Sequence, residues 1–153
     1  PLSKYQLKSP ELDWATGCCM LVSREVLLEV GLLPEPYFAY FEDVEWSLRI
    51  RKAGFKIGIA EHAVIYHEAG AASKKQHSEG LLSPKVFYFH VRNQLFLIRQ
   101  QQVLLGFPYH LIRFAFWGAY FLIRGRFQKL SAVFLGLRHG LLVPLNPEKK
   151  WLQ

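Results

Sequence analysis

Cysteine is nearly absent from these 153 residues, which hold two, the adjacent Cys18 and Cys19. Neighbouring cysteines cannot staple distant segments or supply the spacing of a metal cage, so no disulfide framework exists and a reducing compartment is expected. Within the apolar run Cys18-Cys19-Met20-Leu21-Val22 they read as buried thiols on a strand. Aspartate is equally scarce, with Asp13 and Asp43 alone. Acids of either kind almost vanish from the second half, where residues 76 to 153 carry two against ten Lys or Arg. A long uncharged apolar run is missing too. Residues 107–123 are nearly all apolar, but His110 and Arg113 leave ten uncharged residues, Phe114 to Ile123, against the roughly 20 that a spanning helix needs. The chain opens on Pro1 without an initiator Met or a secretory signal, so an upstream portion is expected.

What is present is apolar and aromatic. A 51% apolar and 15% aromatic content argues against disorder and suits one sizeable core. Residues 1 to 75 carry nine Lys or Arg against ten acids, so the net charge of +7 lies in the second half. That asymmetry predicts two regions, 1–75 and 76–153, the second facing something anionic.

Along the first region, Ala15 to Val22 reads as a short strand. Ser23 is placed to cap a helix over Arg24 to Val30, which Gly31 stops. Pro34 and Pro36 then deliver the chain to Tyr40-Phe41-Glu42-Asp43-Val44-Glu45-Trp46. From Glu42 to Ala53 the spacing is helical, Glu45 and Arg49 fall at i,i+4, and Gly54 ends the element. Phe55 to Ala60 and Ala63 to Tyr66 read as strands, giving an α/β alternation over residues 15 to 67.

A Gly, Ala and Ser linker at 69 to 73 precedes a helix start at Ser83-Pro84. Val91, Leu95 and Ile98 line one side of that helix, and Lys85, Arg92 and Arg99 recur every seven residues on another. A spanning helix drawn from residues 103 to 123 would bury Arg113 at a cost of about 2.5 to 3.5 kcal/mol near its centre. Arg124, Arg126 and Lys129 then separate a second apolar piece, Leu130 to Leu145, itself broken by Arg138 and His139. Such segments suit helices lying in the plane of an anionic membrane surface. A helical subdomain packed on the first half accounts for the same pattern.

The acidic cluster is where chemistry is expected. Asp43 falls in the first turn of its helix, where unpaired N–H groups favour negative charge. An ionised carboxylate there can take the proton of an alcohol as it attacks an electrophile, with Glu42 orienting that alcohol. The same acids also fit plain helix stabilisation. His67 ends a strand as a structural residue or a ligand, and Trp14, beside Asp13, fits either a sugar-stacking wall or the core.

Taken in order, Trp14 to Val26, Val30-Gly31-Leu32, Tyr37 to Arg49, Lys52-Ala53-Gly54-Phe55 and Ala63 to His67 resemble the second half of a family 2 glycosyltransferase. The rhamnosyltransferase-like and galactofuranosyltransferase-like members are the most similar. Arg92-Asn93 and Gly136-Leu137-Arg138-His139-Gly140-Leu141 resemble the membrane-associated tail of such enzymes. The resemblance implies the second half of a GT-A (Rossmann-like) domain followed by amphipathic, membrane-associating helices. It also implies inverting transfer from a nucleotide-sugar donor to a glycan or lipid-linked acceptor. Asp43 then matches the general base, Glu42 its acidic partner, His67 a ligand of a divalent metal (Mg or Mn), and Trp14 and Asp13 the acceptor-side wall. Pro34-Glu35-Pro36, Glu45 and Glu61 depart from the family pattern.

With aspartates at 13 and 43 alone, the chain contains no Asp-x-Asp metal motif, so the main metal ligands and the nucleotide site are expected in an absent N-terminal half. The chain is therefore expected to be inactive alone. The chain is expected in the cytoplasm, peripheral on the inner face of the cell membrane, and its basic edges with long aliphatic runs fit an anionic membrane surface and not nucleic acid as partner. A non-catalytic membrane-binding remnant and a basic helical nucleic-acid binder are the competing readings.

Overall fold

The computed structural model describes residues 11–67, 78–103 and 105–144, and the chain divides into two compact units. Of the described residues, the first holds 11–38 and 42–67, and the second holds 39–41, 78–103 and 105–144. The expected linker at 69–73 lies outside the described residues.

In the first unit, helix α1 runs Arg24–Val30, with Ser23 Oγ accepting from the Val26 amide as its cap. Gly31 adopts φ 84°, a conformation that favours glycine, and its amide closes the helix on Leu27 O. A single 3-10 turn, Glu35–Tyr37, precedes α2, Glu42–Lys52. Both helices follow the pattern read from their caps and spacing. Val26, Trp46 and Ile50 form the core, flanked by Met20, Val22, Leu27, Val30, Phe55 and Ile57.

Polar contacts lock this packing. Trp46 Nε1 donates to Gly31 O at 2.9 Å. The expected i,i+4 pair forms, with Arg49 Nε lying 2.8 Å from both carboxylate oxygens of the fully buried Glu45. The other guanidinium nitrogens of Arg49 reach Val30 O at 2.7 Å and Leu32 O at 2.8 Å, tying the end of α1 to α2.

The three expected strands are not formed, and no strand occurs among the described residues. The α/β reading is therefore corrected to a helical one with extended connections. The reason is pairing: a strand exists only as part of a ladder. Leu12 N–H to Ile57 O, at 2.9 Å, links the extended stretches, but one bond makes no sheet. Without a covering layer, Leu21 and Tyr66 stand fully exposed and Val64 is 77% exposed. Cys18 and Cys19, expected to be buried, are exposed for the same reason.

The second unit packs α3 (Pro84–Gln101), α4 (Gly106–Ile123) and α5 (Phe127–Leu142) around Val91, Leu95, Phe114, Phe121 and Val133. Gly136 and Gly140, one turn apart on α5, let that helix press onto α3. A Cβ on Gly136 would lie 2.8 Å from Tyr88 O, and one on Gly140 would lie 2.7 Å from Leu95 Cδ1.

Two arginines of the expected basic edge are used internally. Arg99 Nη1 donates to Gly140 O at 2.7 Å and Val143 O at 3.0 Å, capping the carbonyl end of α5. Arg92 lies over the rings of Tyr88, Phe89 and Phe96. Arg113, the charge that interrupts the apolar run, donates to Gln94 Oε1 and lies over Phe114 and Trp117. Among the described residues no helix is long and apolar enough to cross a membrane. Large apolar side chains nevertheless line the outside of α4 and α5, including Phe116, Ile123, Phe127, Phe134 and Leu142.

Candidate active site

The acid pair opens α2, and the backbone amides around it determine how Asp43 is held. Asp43 Oδ1 accepts from the Val44 amide at 2.8 Å, while Oδ2 accepts from the Gly17 amide at 2.8 Å. A carboxylate oxygen carries two acceptor positions, so each oxygen keeps one for a further proton donor. Ser47, fully buried one turn along, takes the Ala15 amide at 3.2 Å and holds the extended segment alongside α2. A Cβ on Gly17 would meet Asp43 Cβ at 3.6 Å and Glu42 Oε1 at 3.9 Å, so any side chain beyond a methyl would crowd both acids.

Glu42 differs from its neighbour. Its Oε2 is buried with no hydrogen-bond partner among the described residues. Burial, seconded by the charge of Asp43, pushes the Glu42 carboxyl above the ordinary value of 4.5, although a backbone hydrogen bond opposes the shift. Glu42 therefore accepts and carries a proton more readily than an ordinary glutamate.

The other expected site residues are placed less tightly. Trp14 is 46% exposed, available to a ligand and absent from the core. Asp13 pairs with Arg51 at 2.8 Å, so its carboxylate is already engaged, although it remains largely in solvent. His67 is exposed, and the strand it was expected to end is absent. Among the described residues no group of three or more His, Cys, Asp or Glu could hold a metal ion. His67 offers one imidazole donor, so the residues described do not by themselves fit a divalent metal.

The turn that feeds the chain into Glu42 received no role from the sequence. Phe38, Tyr40 and Phe41 have φ of 60°, 67° and 70°, a conformation that bulky L-residues avoid. Strain of this kind persists only where neighbours over-determine it. Within the second unit, the buried Asn93 of α3 donates through Nδ2 to Ala39 O at 2.6 Å and Tyr40 O at 2.8 Å. His90 stacks on Tyr40 with ring centres 4.4 Å apart and meets Phe41 edge-on at 5.7 Å. Burial, then the nearby Arg113 charge, holds the His90 imidazole below its usual range, so it packs as a neutral ring. The sequence names Asn93 only beside Arg92 in the family resemblance; the signal for its structural role is a polar residue seven positions after Val86 and three before Phe96, on a buried face of α3.

Comparison with known proteins then bears on what the acid pair serves. The chain is 36% identical over 58 residues to a low-salt glycan biosynthesis hexosyltransferase of Haloferax volcanii, covering 38% of this chain and 18% of that one. It is 36% identical over 64 residues to an N-acetylglucosaminyl-diphospho-decaprenol L-rhamnosyltransferase of Mycobacterium tuberculosis, covering 41% and 21%. A dTDP-rhamnosyl transferase of Shigella flexneri matches over 87 residues at 33% identity, covering 56% and 29%. The chain resembles part of a family 2 glycosyltransferase. It spans between about a fifth and three tenths of the length of these relatives. No family model and no solved structure matches it.

Proposed function

We propose that this chain supplies the acceptor-activating part of an inverting sugar transferase, with Asp43 as general base. The observation that carries this reading is the seat of Asp43. Two backbone amides fix the carboxylate at a helix start, and both oxygens keep room for a proton donor, in a chain similar to rhamnosyl- and hexosyltransferases.

In this scheme the acceptor hydroxyl gives its proton to Asp43 as its oxygen attacks the anomeric carbon. The bond from that carbon to the nucleoside diphosphate breaks, and the leaving group departs with the electron pair. A single displacement delivers the new oxygen to the opposite face, which is inversion. General-base help of this kind contributes roughly 10²- to 10⁴-fold. Glu42, readily protonated, donates to or shares the acceptor hydrogen bond, and exposed Trp14 offers a face for a sugar ring. Asp13, tied to Arg51, shapes the same wall.

The nucleotide-sugar site belongs to sequence outside these 153 residues in this proposal, as do the main ligands of any divalent metal. His67 adds at most one donor, and no step here depends on the metal. The relative whose name specifies a diphospho-decaprenol acceptor favours a lipid-linked acceptor for this chain as well. The apolar exteriors of α4 and α5 agree with a peripheral position on the cytoplasmic face of the membrane. They also support the second reading, a membrane-binding module without catalysis.

The test is sugar transfer by the protein extended with the coding sequence upstream at its genomic locus, wild type against Asp43→Asn. A loss of two or more orders of magnitude in kcat with folding intact is expected. Unchanged turnover removes Asp43 from the mechanism.

A further inference from the structure

One cleft in the second unit is outside everything assigned so far. Its volume is about 710 Å³, within the roughly 300 to 1,000 Å³ usual for small-molecule sites. Phe87 of α3 and Trp117, Tyr120 and Phe121 of α4 build its apolar wall, with Leu81 and Leu82 along one side. Arg126 and Lys129, at the start of α5, also line it.

The two cations converge on one point. Gly80 has φ 109° and no side chain, and a Cβ placed on it would lie 3.6 Å from Lys129 Nζ and 3.9 Å from Arg126 Nη2. These are ordinary contact distances, so the two cations flank this turn, and its positive φ is what calls for glycine. Glu79 directs Oε1 to the Gln128 amide at 2.8 Å and Oε2 to the Lys129 amide at 3.0 Å, capping α5.

Lys129 Nζ donates to Glu79 O at 2.7 Å and has two further protons to give. The Arg126 guanidinium lies over Tyr120 at 5.7 Å and has no hydrogen-bond partner among the described residues. Lys129 is 2% exposed. Burial, then the Arg126 charge, holds its ammonium below the usual lysine range, with Glu79 opposing. An anion beside both cations would relieve that repulsion, and a hydrocarbon tail would occupy the aromatic wall.

We infer that this cleft seats a lipid phosphate, its phosphate on Arg126 and Lys129 over Gly80 and its single hydrocarbon chain against Phe87, Trp117 and Phe121. The inference deepens the proposal of a lipid-linked acceptor and rests on it for the physiological ligand. An isoprenoid carrying a phosphate or diphosphate is the class of molecule with both parts. Arg126 supplies the planar fork suited to phosphate oxygens, and Lys129 supplies a point charge.

The experiment is a titration of the 153-residue chain with dodecyl phosphate below its micelle concentration. It is followed through the Trp117 indole N–H resonance, assigned by its loss in Trp117→Phe. Saturable shifts are expected, with binding weakened at least tenfold in Arg126→Gln and much weaker for inorganic phosphate or dodecanol alone. Lys129→Gln can unfold the start of α5, so the charge reversal Arg126→Glu is the second variant and should abolish the shift with the helical CD spectrum retained. Dodecanol binding as tightly as dodecyl phosphate, or Arg126→Gln binding like wild type, reduces the cleft to an apolar patch and overturns the inference. No shift at all overturns it equally. Because the readout is binding and not transfer, either failure leaves the Asp43 reading standing, and an inactive Asp43→Asn enzyme leaves the cleft untouched.

Discussion

Replacing Gly136 or Gly140 by alanine sets two effects of opposite sign against each other, and the geometry decides between them. Alanine in a helix interior is favoured over glycine by about 1 kcal/mol, because glycine loses more backbone freedom on folding. Against this stands the approach of α5 to α3. At Gly140 the new methyl would lie 2.7 and 2.8 Å from Leu95 Cδ1 and Cβ, and 3.1 Å from Arg92 O. At Gly136 it would lie 2.8 Å from Tyr88 O and 2.9 Å from Val91 Cβ.

Carbonyl oxygens and Cβ atoms are fixed to the α3 backbone, so relief requires the two helices to part. Overpacking of this kind costs typically 1 to 3 kcal/mol, and the involvement of backbone places these sites at the upper end. Subtracting the propensity gain leaves a net loss of about 2 kcal/mol for each variant. Parting the helices once serves both sites, so the double variant should lose less than the sum.

Gly118 of α4 provides the control. A Cβ there meets Leu130 Cδ1 at 3.7 Å, an ordinary contact, so Gly118→Ala should keep its propensity gain and be no less stable than wild type. Urea unfolding followed by far-UV CD gives all four midpoints. If Gly136→Ala and Gly140→Ala match Gly118→Ala, the close approach of α3 and α5 is wrong.

In the first unit, Arg49→Ala strips the guanidinium from buried Glu45 and a donor from each of Val30 O and Leu32 O. Breaking a buried pair costs about 3 to 5 kcal/mol, and the part-exposed Arg49 side chain lowers the expectation to about 2 to 3 kcal/mol. Thermal and urea unfolding measure it, and a loss below about 1 kcal/mol would refute the role given to this pair. For Glu42 the sign follows from its raised folded-state pKa: below 4.5 both states hold the proton, and stability is lost as pH rises through 4.5 towards the folded value. Glu42→Gln should therefore be more stable than wild type at pH 7, by less than about 1 kcal/mol because the side chain is part-exposed and screened, with the gain vanishing below pH 4.5. A gain that persists unchanged in acid assigns the effect to something other than this carboxyl.

Helices were legible because their signals are local. Ser23, Gly31 and Gly54 mark boundaries through their own backbone or side chains, and α1 and α2 begin and end within a residue of where those signals put them. Ser83-Pro84 likewise marks the start of α3. The extended segments failed the same reading for a non-local reason. Apolar alternation around residues 15–22 and 55–66 says which side chains seek cover, but a strand also needs a neighbour for its amides, and a sequence pattern cannot supply one. The basic edge of α3 misled in a related way. Arg92 and Arg99 were read by charge alone, whereas an aromatic cluster and a helix end within the same unit take them up.

For the candidate site, residue type singled out Asp43 and Glu42 as two acids between aromatics, and the helix start expected there is where α2 begins. What holds the preceding turn was not legible, because its parts are distant in sequence and individually bland. Three aromatic residues with positive φ contradict every local preference, and partners of Tyr40 and Phe41 stand far along the sequence, in Asn93 and His90 of α3. A propensity reading assigns Phe38 to Phe41 an ordinary loop and Asn93 an ordinary helical position, and both errors have one origin. Contacts that hold Tyr40 and Phe41, the Asn93 hydrogen bonds and the His90 ring, join residues whose relation appears only after α3 has folded. Local strain of this order, immediately before an acid pair, is itself a reason to seek chemistry at Asp43, and it is independent of any likeness to sugar transferases.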